Sequence, residues 1–300
     1  MPALIHSGAR INKIMFLVIA ACFPGIFVSM FYFGWDFLIQ LFLAILSGLL
    51  LEAFVLKLRK RLVLSTLFDG STIITAILLC ACIPPQAPLW IIVIGMSFAI
   101  VLAKQVYGGI GHNIFNPAMV GYAVLLIGFP QYVTQWEFIP LFTEFDGITG
   151  ATPLDSMKNT IVGASIDYWP WISLAWLMGG LLLYFKRIIT WHIPVSVLLG
   201  LLIPSTIAYI ITQNPYYSPI FQLTHGAIVI GAFFIATDPV TAPVHKVNRL
   251  IFGFTIGLLT FIIRAAGAYP EGLAFAVLLM NICVPFLDQY IKPRTFGHRS

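Results

Sequence analysis

Asp146-Gly147-Ile148-Thr149-Gly150-Ala151-Thr152-Pro153-Leu154-Asp155 is a polar island in an otherwise very apolar chain, and it offers a hydroxyl well placed for covalent chemistry. Thr152-Pro153-Leu154-Asp155 reads as a helix start, with Thr152 as N-cap, Pro153 at the first helical position and Asp155 at the third to close a capping box. Such a start presents free N–H groups and the positive end of the helix dipole, which favour a phosphate on the capping hydroxyl. Taken alone, the four residues amount to a cap.

Other chemistry-bearing residues are scattered among apolar runs. Glu52 falls inside one, where an ionisable group is functional by default, although Lys57 is near enough for pairing at the membrane edge. Asp69 and Asp238 stand at the inner ends of two short helices, where they would flank an ion path or act as caps and turns. Gly108-Gly109-Ile110-Gly111, ahead of Asn116-Pro117, offers backbone N–H groups to an anion or a planar ring; a tight connection between packed helices uses the same glycines. Glu271 follows Pro270 at a helix start, and Arg264 is a partner for it or for a phosphate. Cys22, Cys80, Cys82 and Cys283 all lie in apolar runs and read as buried thiols, since no four-ligand set accompanies them. No nucleophile–base pair or metal-ligand set makes the chain an enzyme on its own.

The elements that position these residues follow from composition. With 60% hydrophobic residues and 9% charged, and a mean hydropathy of +0.97, the chain is an all-α polytopic membrane protein, because lipid excludes open strands. About ten spans are expected, near 14–34, 36–56, 66–83, 87–104, 117–135, 170–185, 192–212, 224–238, 249–264 and 271–290. The first is too long for a lipoprotein signal peptide ending at Cys22.

With both termini cytoplasmic, 14 of the 16 Lys and Arg residues fall inside, all but Lys158 and Arg264. The net charge of +5 thus reflects topology and gives no argument for nucleic acid. A weak repeat divides the chain. Pro117–Leu126 and Pro270–Leu279 share five identities in ten positions at an offset of 153 residues, and Asp69-Gly70-Ser71 resembles His225-Gly226-Ala227. Five spans per half invert the second copy, giving a first membrane repeat at 1–135, an outer segment at 136–169 and a second repeat at 170–300. Inverted halves with short, interrupted helices place a ligand or ion site between them. A cofactor-free secondary transporter or channel has the same signature, and an assembly scaffold is a third class.

Asp146-x-x-Thr149-Gly150-Ala151-Thr152 resembles the flavinylation motif, in which a flavin transferase joins the phosphate of FMN to the last hydroxyl. Asp69-Gly70-Ser71, Pro84-Pro85-x-Ala87-Pro88-Leu89-Trp90, Lys104-Gln105-x-Tyr107-Gly108-Gly109-x-Gly111, Asn113-x-Phe115-Asn116-Pro117-Ala118-Met119, Thr237-Asp238-Pro239-Val240-Thr241-Ala242 and Gly297-His298-Arg299 extend the likeness over essentially the whole chain. Together they resemble the D-subunit family of the Rnf ion-translocating electron-transport complex, related to the B subunit of the sodium-pumping NADH:quinone reductase. The resemblance implies a bacterial inner-membrane subunit holding FMN at Thr152 on the periplasmic side, often with a noncovalent riboflavin. It implies a complex of about six different subunits that exchanges electrons between ferredoxin and NAD and moves Na⁺ or H⁺. The segment before Asp146 is shorter than that family leads one to expect.

Overall fold

The structure is a computed structural model and describes residues 8–138, 148–151, 153–158, 168–267, 269 and 271–291. α1 (Gly8–Leu58) covers the first two expected spans and is broken at Gly34, whose φ of 71° and ψ of −157° lie in a region open essentially to glycine alone. The chain reverses there. A β-carbon on Gly48 would stand 3.0 Å from Thr72 Cγ2, and one on Gly70 would stand 3.3 Å from Met15 Cβ. Met15 and Gly48 therefore lie side by side, whereas a straight helix would separate them by roughly 50 Å at about 1.5 Å per residue. α1 is a hairpin with limbs 8–33 and 35–58.

Next come α2 (Val63–Leu67), α3 (Ser71–Cys80) and α4 (Leu89–Ser97), which continues as a π-helix over Phe98–Gln105. α5 (Pro117–Gly128) and the short α6 (Pro130–Val133) complete the first half. β1 (Gln135–Phe138) and β2 (Ile148–Ala151) pair antiparallel, ahead of α7 (Pro153–Lys158). The second half holds α8 (Trp169–Phe185), α9 (His192–Thr212), α10 (Pro219–Thr224) and α11 (Ile228–Ile230), which passes into a π-helix over Gly231–Ile235. α12 (Lys246–Ala266) and α13 (Leu273–Tyr290) close the fold.

Four helical segments, 12–58, α9, α12 and α13, are long and apolar enough to cross a membrane, and α3, α4 with its π extension, α5 and α8 are shorter apolar helices. The outer faces are apolar too, with Phe23, Phe27, Phe42, Phe54 and Ile210 exposed. This is a helical, multi-pass membrane protein.

Three expected spans are too long. α3 has 10 residues, about 15 Å of helix against a hydrocarbon core of about 30 Å. Gly70, at φ 81°, separates it from α2. The span expected at 224–238 is likewise broken at Gly226, at φ 82°. α5 stops at Gly128 because Pro130 disfavours helix at Phe129, whose φ is −138°. The strand pair is a small departure from an all-α chain. Its register sets Trp136 opposite Gly150 and Phe138 opposite Ile148.

Glycine sets the closest packing in the second half. A β-carbon on Gly257 would strike Val197 O, and one on Gly200 would strike Phe254 O, so α9 and α12 meet backbone to backbone. Gly253-x-x-x-Gly257 supplies the small-residue face that such packing needs in lipid.

Candidate functional site

The end of the bundle at Gly34 is lined with aromatic rings. Phe33, beside the reversal, lies 5.4 Å from Trp136, and Trp136 meets Trp169 edge to face at 5.2 Å. Beneath them is a cavity of about 890 Å³, space open to solvent included, walled by Tyr122, Trp136, Trp169, Trp176, Leu154 and Glu271 among others. Aromatic walls on several sides suit a flat conjugated ring, which stacks or meets them edge-on.

α7 begins at Pro153, where the cap pattern places a helix start, and follows directly on β2, which contains Thr149, Gly150 and Ala151. Asp146 and Thr152 lie outside the described residues. Leu154, two residues past Thr152, is 2% exposed and forms part of the cavity wall. Lys158 Nζ donates to Gly267 O at 2.5 Å, so both ends of α7 are fastened to the second half.

Glu271 brings a charge to that cavity. Its Oε2 accepts from Ala227 N–H at 2.8 Å and pairs with Arg264 Nη2 at 2.8 Å. Its Oε1 accepts from Gly272 N–H at 3.0 Å, Leu273 N–H at 3.2 Å and Arg264 Nε at 3.2 Å. Arg264 is fully buried and spends its other donors on Gln222 O at 2.9 Å, Gln222 Oε1 at 3.1 Å and His225 O at 3.3 Å. Of the two partners read for Arg264, the structure thus supplies Glu271.

At the opposite end Glu52 is buried, and its partner is Lys104. Lys57, five residues on, plays no part. Lys104 Nζ stands 2.6 Å from Glu52 Oε1, 2.7 Å from Ser71 Oγ and 2.9 Å from Thr72 Oγ1. Gln105 Nε2 donates to Glu52 Oε1 at 2.7 Å, and the Thr72 hydroxyl donates to Glu52 Oε2. Lys104 counts among the basic residues expected in the inner loops, yet it is 2% exposed and belongs to the interior. The carboxylate and the two hydroxyls wrap the ammonium in oxygen.

Asp69 touches this cluster through the Ser71 hydroxyl, whereas Asp238 bonds within its own turn. Asp69 Oδ1 accepts from Ser71 N–H at 2.7 Å, an Asx turn ahead of α3 whose N-cap is Gly70, and also from the Ser71 hydroxyl. Asp238 accepts from Val240 N–H at 3.1 Å and Thr241 Oγ1 at 3.3 Å within its own turn. Gly108, Gly109 and Gly111 have φ of 126°, 98° and 87°, so all three hold conformations costly for other residues. Arg61 Nη1 donates to Gly108 O at 2.6 Å, which fixes the loop against the end of α1. Cys22, Cys80 and Cys82 are buried free thiols, and Cys283 is exposed.

A buried contact between the halves has no counterpart in the sequence pattern. Asn116 caps α5 by accepting from Met119 N–H at 3.3 Å, and its own N–H donates to Asn281 Oδ1 at 3.1 Å. Asn281 Nδ2 in turn donates to Thr241 O at 3.3 Å. The meeting of the tryptophan walls is hidden in the sequence, because Trp136 comes from β1 whereas Trp169 and Trp176 share one face of α8. The seven-residue spacing of Trp169 and Trp176 marks a shared helix face, but nothing marks Trp136 as their neighbour.

The chain is 43% identical to the D subunit of the ion-translocating oxidoreductase complex of Klebsiella pneumoniae (strain 342) over 339 residues, covering 98% of this chain and 97% of the relative. It is 43% identical to the protein of the same description from Escherichia coli (strain SE11), with the same coverage. With that from Yersinia enterocolitica the figure is 44%, over 98% and 96% of the two chains. These alignments are longer than the 300 residues of this chain, so the relatives carry a few tens of residues that it lacks. The NQR2, RnfD, RnfE family model matches residues 2–297. The chain belongs to the NQR2, RnfD, RnfE family.

Proposed function

We propose that this chain is the flavin-carrying membrane subunit of an ion-translocating oxidoreductase complex, with FMN joined through its phosphate to Thr152. The observation that carries the reading is the place of Leu154: the residue two positions beyond the acceptor hydroxyl is itself part of the wall of a cavity faced by Tyr122, Trp136, Trp169 and Trp176. A ring tethered at Thr152 would have an aromatic-walled cavity next to its point of attachment. When bound, the flavin supplies the exchange between one- and two-electron steps, while the chain supplies position and electrostatics. The shared description of the relatives supports the rest of the reading.

The Gly34 end then faces the periplasm of a bacterial inner membrane, with both termini cytoplasmic. Exposed Lys57, Lys60, Lys186 and Arg187 at the other end support this orientation. Trp35, Trp90 and Trp171 are exposed near the Gly34 end and Trp191 near the other, as the aromatic belts of two interfaces are. Two inverted five-helix repeats fit the same arrangement. Lys104 ends the helix of one half and binds Ser71 and Thr72, just past Gly70. Arg264 near the end of α12 binds His225, just before Gly226, at the opposite end of the bundle.

Glu52 with Lys104 is our candidate for an ion path, flanked by Asp69 and Asp238, and the loop at Gly108, Gly109 and Gly111 is our candidate for a noncovalent riboflavin. Other Rnf-type subunits, about six in all, are the expected partners, with a flavin transferase acting during maturation. The test is a denaturing gel of protein purified from cells with that transferase, viewed under ultraviolet light. A fluorescent band that disappears in Thr152→Ala is the expected result. An unmodified peptide spanning Thr152, found by mass spectrometry in the same preparation, overturns the reading.

A further inference from the structure

Among the described residues lining the cavity, Glu271 is the only carboxylate, and none of the others is a cation. An acid beside Trp176, Leu273 and Ala274 would ordinarily shed its charge by binding a proton. Here five N–H groups point at it, three from the backbone at Ala227, Gly272 and Leu273 and two from Arg264. Hydrogen bonds of this kind favour the ionised form. The compensating guanidinium lies behind the carboxylate, is fully buried and does not line the cavity. An occupant therefore meets the negative member of the pair first. The Glu271 side chain keeps 14% of its surface exposed, whereas Arg264 keeps none.

We propose that Glu271 acts as a positioning residue whose fixed negative charge opposes electron uptake by the ring in this cavity and so holds its reduction potential low. The inference rests on the assignment of the covalent flavin to this cavity. An electron added to the ring brings negative charge into a space of low dielectric, where a nearby carboxylate counts for far more than it would in water. Taking the carboxylate away removes that opposition and leaves the Arg264 cation uncompensated behind the cavity wall. Both changes act in the same direction.

The experiment is a redox titration of the covalent flavin in the intact purified complex, followed by absorbance. Glu271→Gln should raise the midpoint potential, and Glu271→Asp, which keeps the charge, should leave it near that of the unchanged protein. Thr134 provides an independent handle: it lines the cavity from the loop after α6 and is half-buried, so Thr134→Lys adds a cation without touching the ion pair. That variant should also raise the potential, which tests whether charge in this cavity reaches the flavin; an unmoved potential there overturns the proposal even if Glu271→Gln does not assemble. A fluorescent flavin band with an unmoved potential in the assembling variants overturns the role of Glu271. Loss of the band already in the unchanged protein overturns the flavin reading instead, so the two failures are distinguishable.

Discussion

Lys104 Nζ lies 2.6 Å from Glu52 Oε1, and the two side chains are 2% and 0% exposed. Such a pair is poor ground for claiming net stability, because desolvating both ions offsets most of their attraction. Breaking it is another matter. Lys104→Met leaves a buried carboxylate with hydroxyl and amide partners alone, and should cost about 3–5 kcal/mol. Thermal unfolding in detergent should show that loss, and the double variant Glu52→Gln, Lys104→Met should recover much of it. A double variant as unstable as the sum of the single ones would show that the two residues do not act as a pair.

The two left-handed glycines that begin the broken helices should differ sharply in tolerance. A β-carbon at Gly70 meets nothing nearer than Met15 Cβ at 3.3 Å, so Gly70→Ala carries mainly the left-handed backbone penalty of about 1–2 kcal/mol. At Gly226 the same atom would collide with Glu271 Oε2 and lie 2.5 Å from Arg264 Nη2. Gly226→Ala should therefore lower the melting temperature well beyond Gly70→Ala and disturb the Arg264–Glu271 pair. Equal shifts for both would mean that the pair yields easily.

How far the sequence speaks for the fold depends on what interrupts an apolar run. α9 occupies 192–212 as expected, and α8 occupies 169–185 against an expected 170–185, because nothing breaks either run before its end. The lengths of α3 and α11 escape hydropathy, which does not sense that Gly70 and Gly226 adopt positive φ inside apolar surroundings. For the charges, local spacing offers Lys57 to Glu52, yet residues five apart do not share a helix face. The actual partner lies 52 positions away and is brought close only by the packing of α1 against the π-helical end of α4. The start of α7 is legible because proline and its flanking cap residues carry that signal locally. The aromatic cavity is not, since its walls are assembled from distant elements.

Gly111 offers the cleanest test of the glycine loop. No atom lies within 4 Å of where its β-carbon would stand, whereas one on Gly108 would meet the His112 side chain at 3.3–3.5 Å. At φ 87°, Gly111→Ala still carries a backbone penalty of about 1–2 kcal/mol. If the loop's N–H groups face a riboflavin, this variant should lower noncovalent flavin, measured by chromatography of the acid-released fraction, with the covalent band at Thr152 intact. Unchanged noncovalent flavin in a folded protein would leave the loop as a connection held by Arg61.

Asn281 joins two loops from different halves: its Oδ1 accepts from Asn116 N–H at 3.1 Å, and its Nδ2 donates to Thr241 O at 3.3 Å. Asn116 Nδ2 adds a weak contact to Ile235 O at 3.5 Å, at the end of the second π-helix. Replacing Asn281 with Leu keeps a side chain of similar size but strands a buried N–H and a buried carbonyl, each worth about 1–3 kcal/mol when unsatisfied. The cost should be felt on both sides of the contact at once. Hydrogen–deuterium exchange should therefore quicken together at 113–116 and at 236–242, while α9 and α12, packed backbone to backbone, stay protected. Exchange that rises in only one loop would mean that Asn281 serves that loop alone and that the halves are coupled elsewhere.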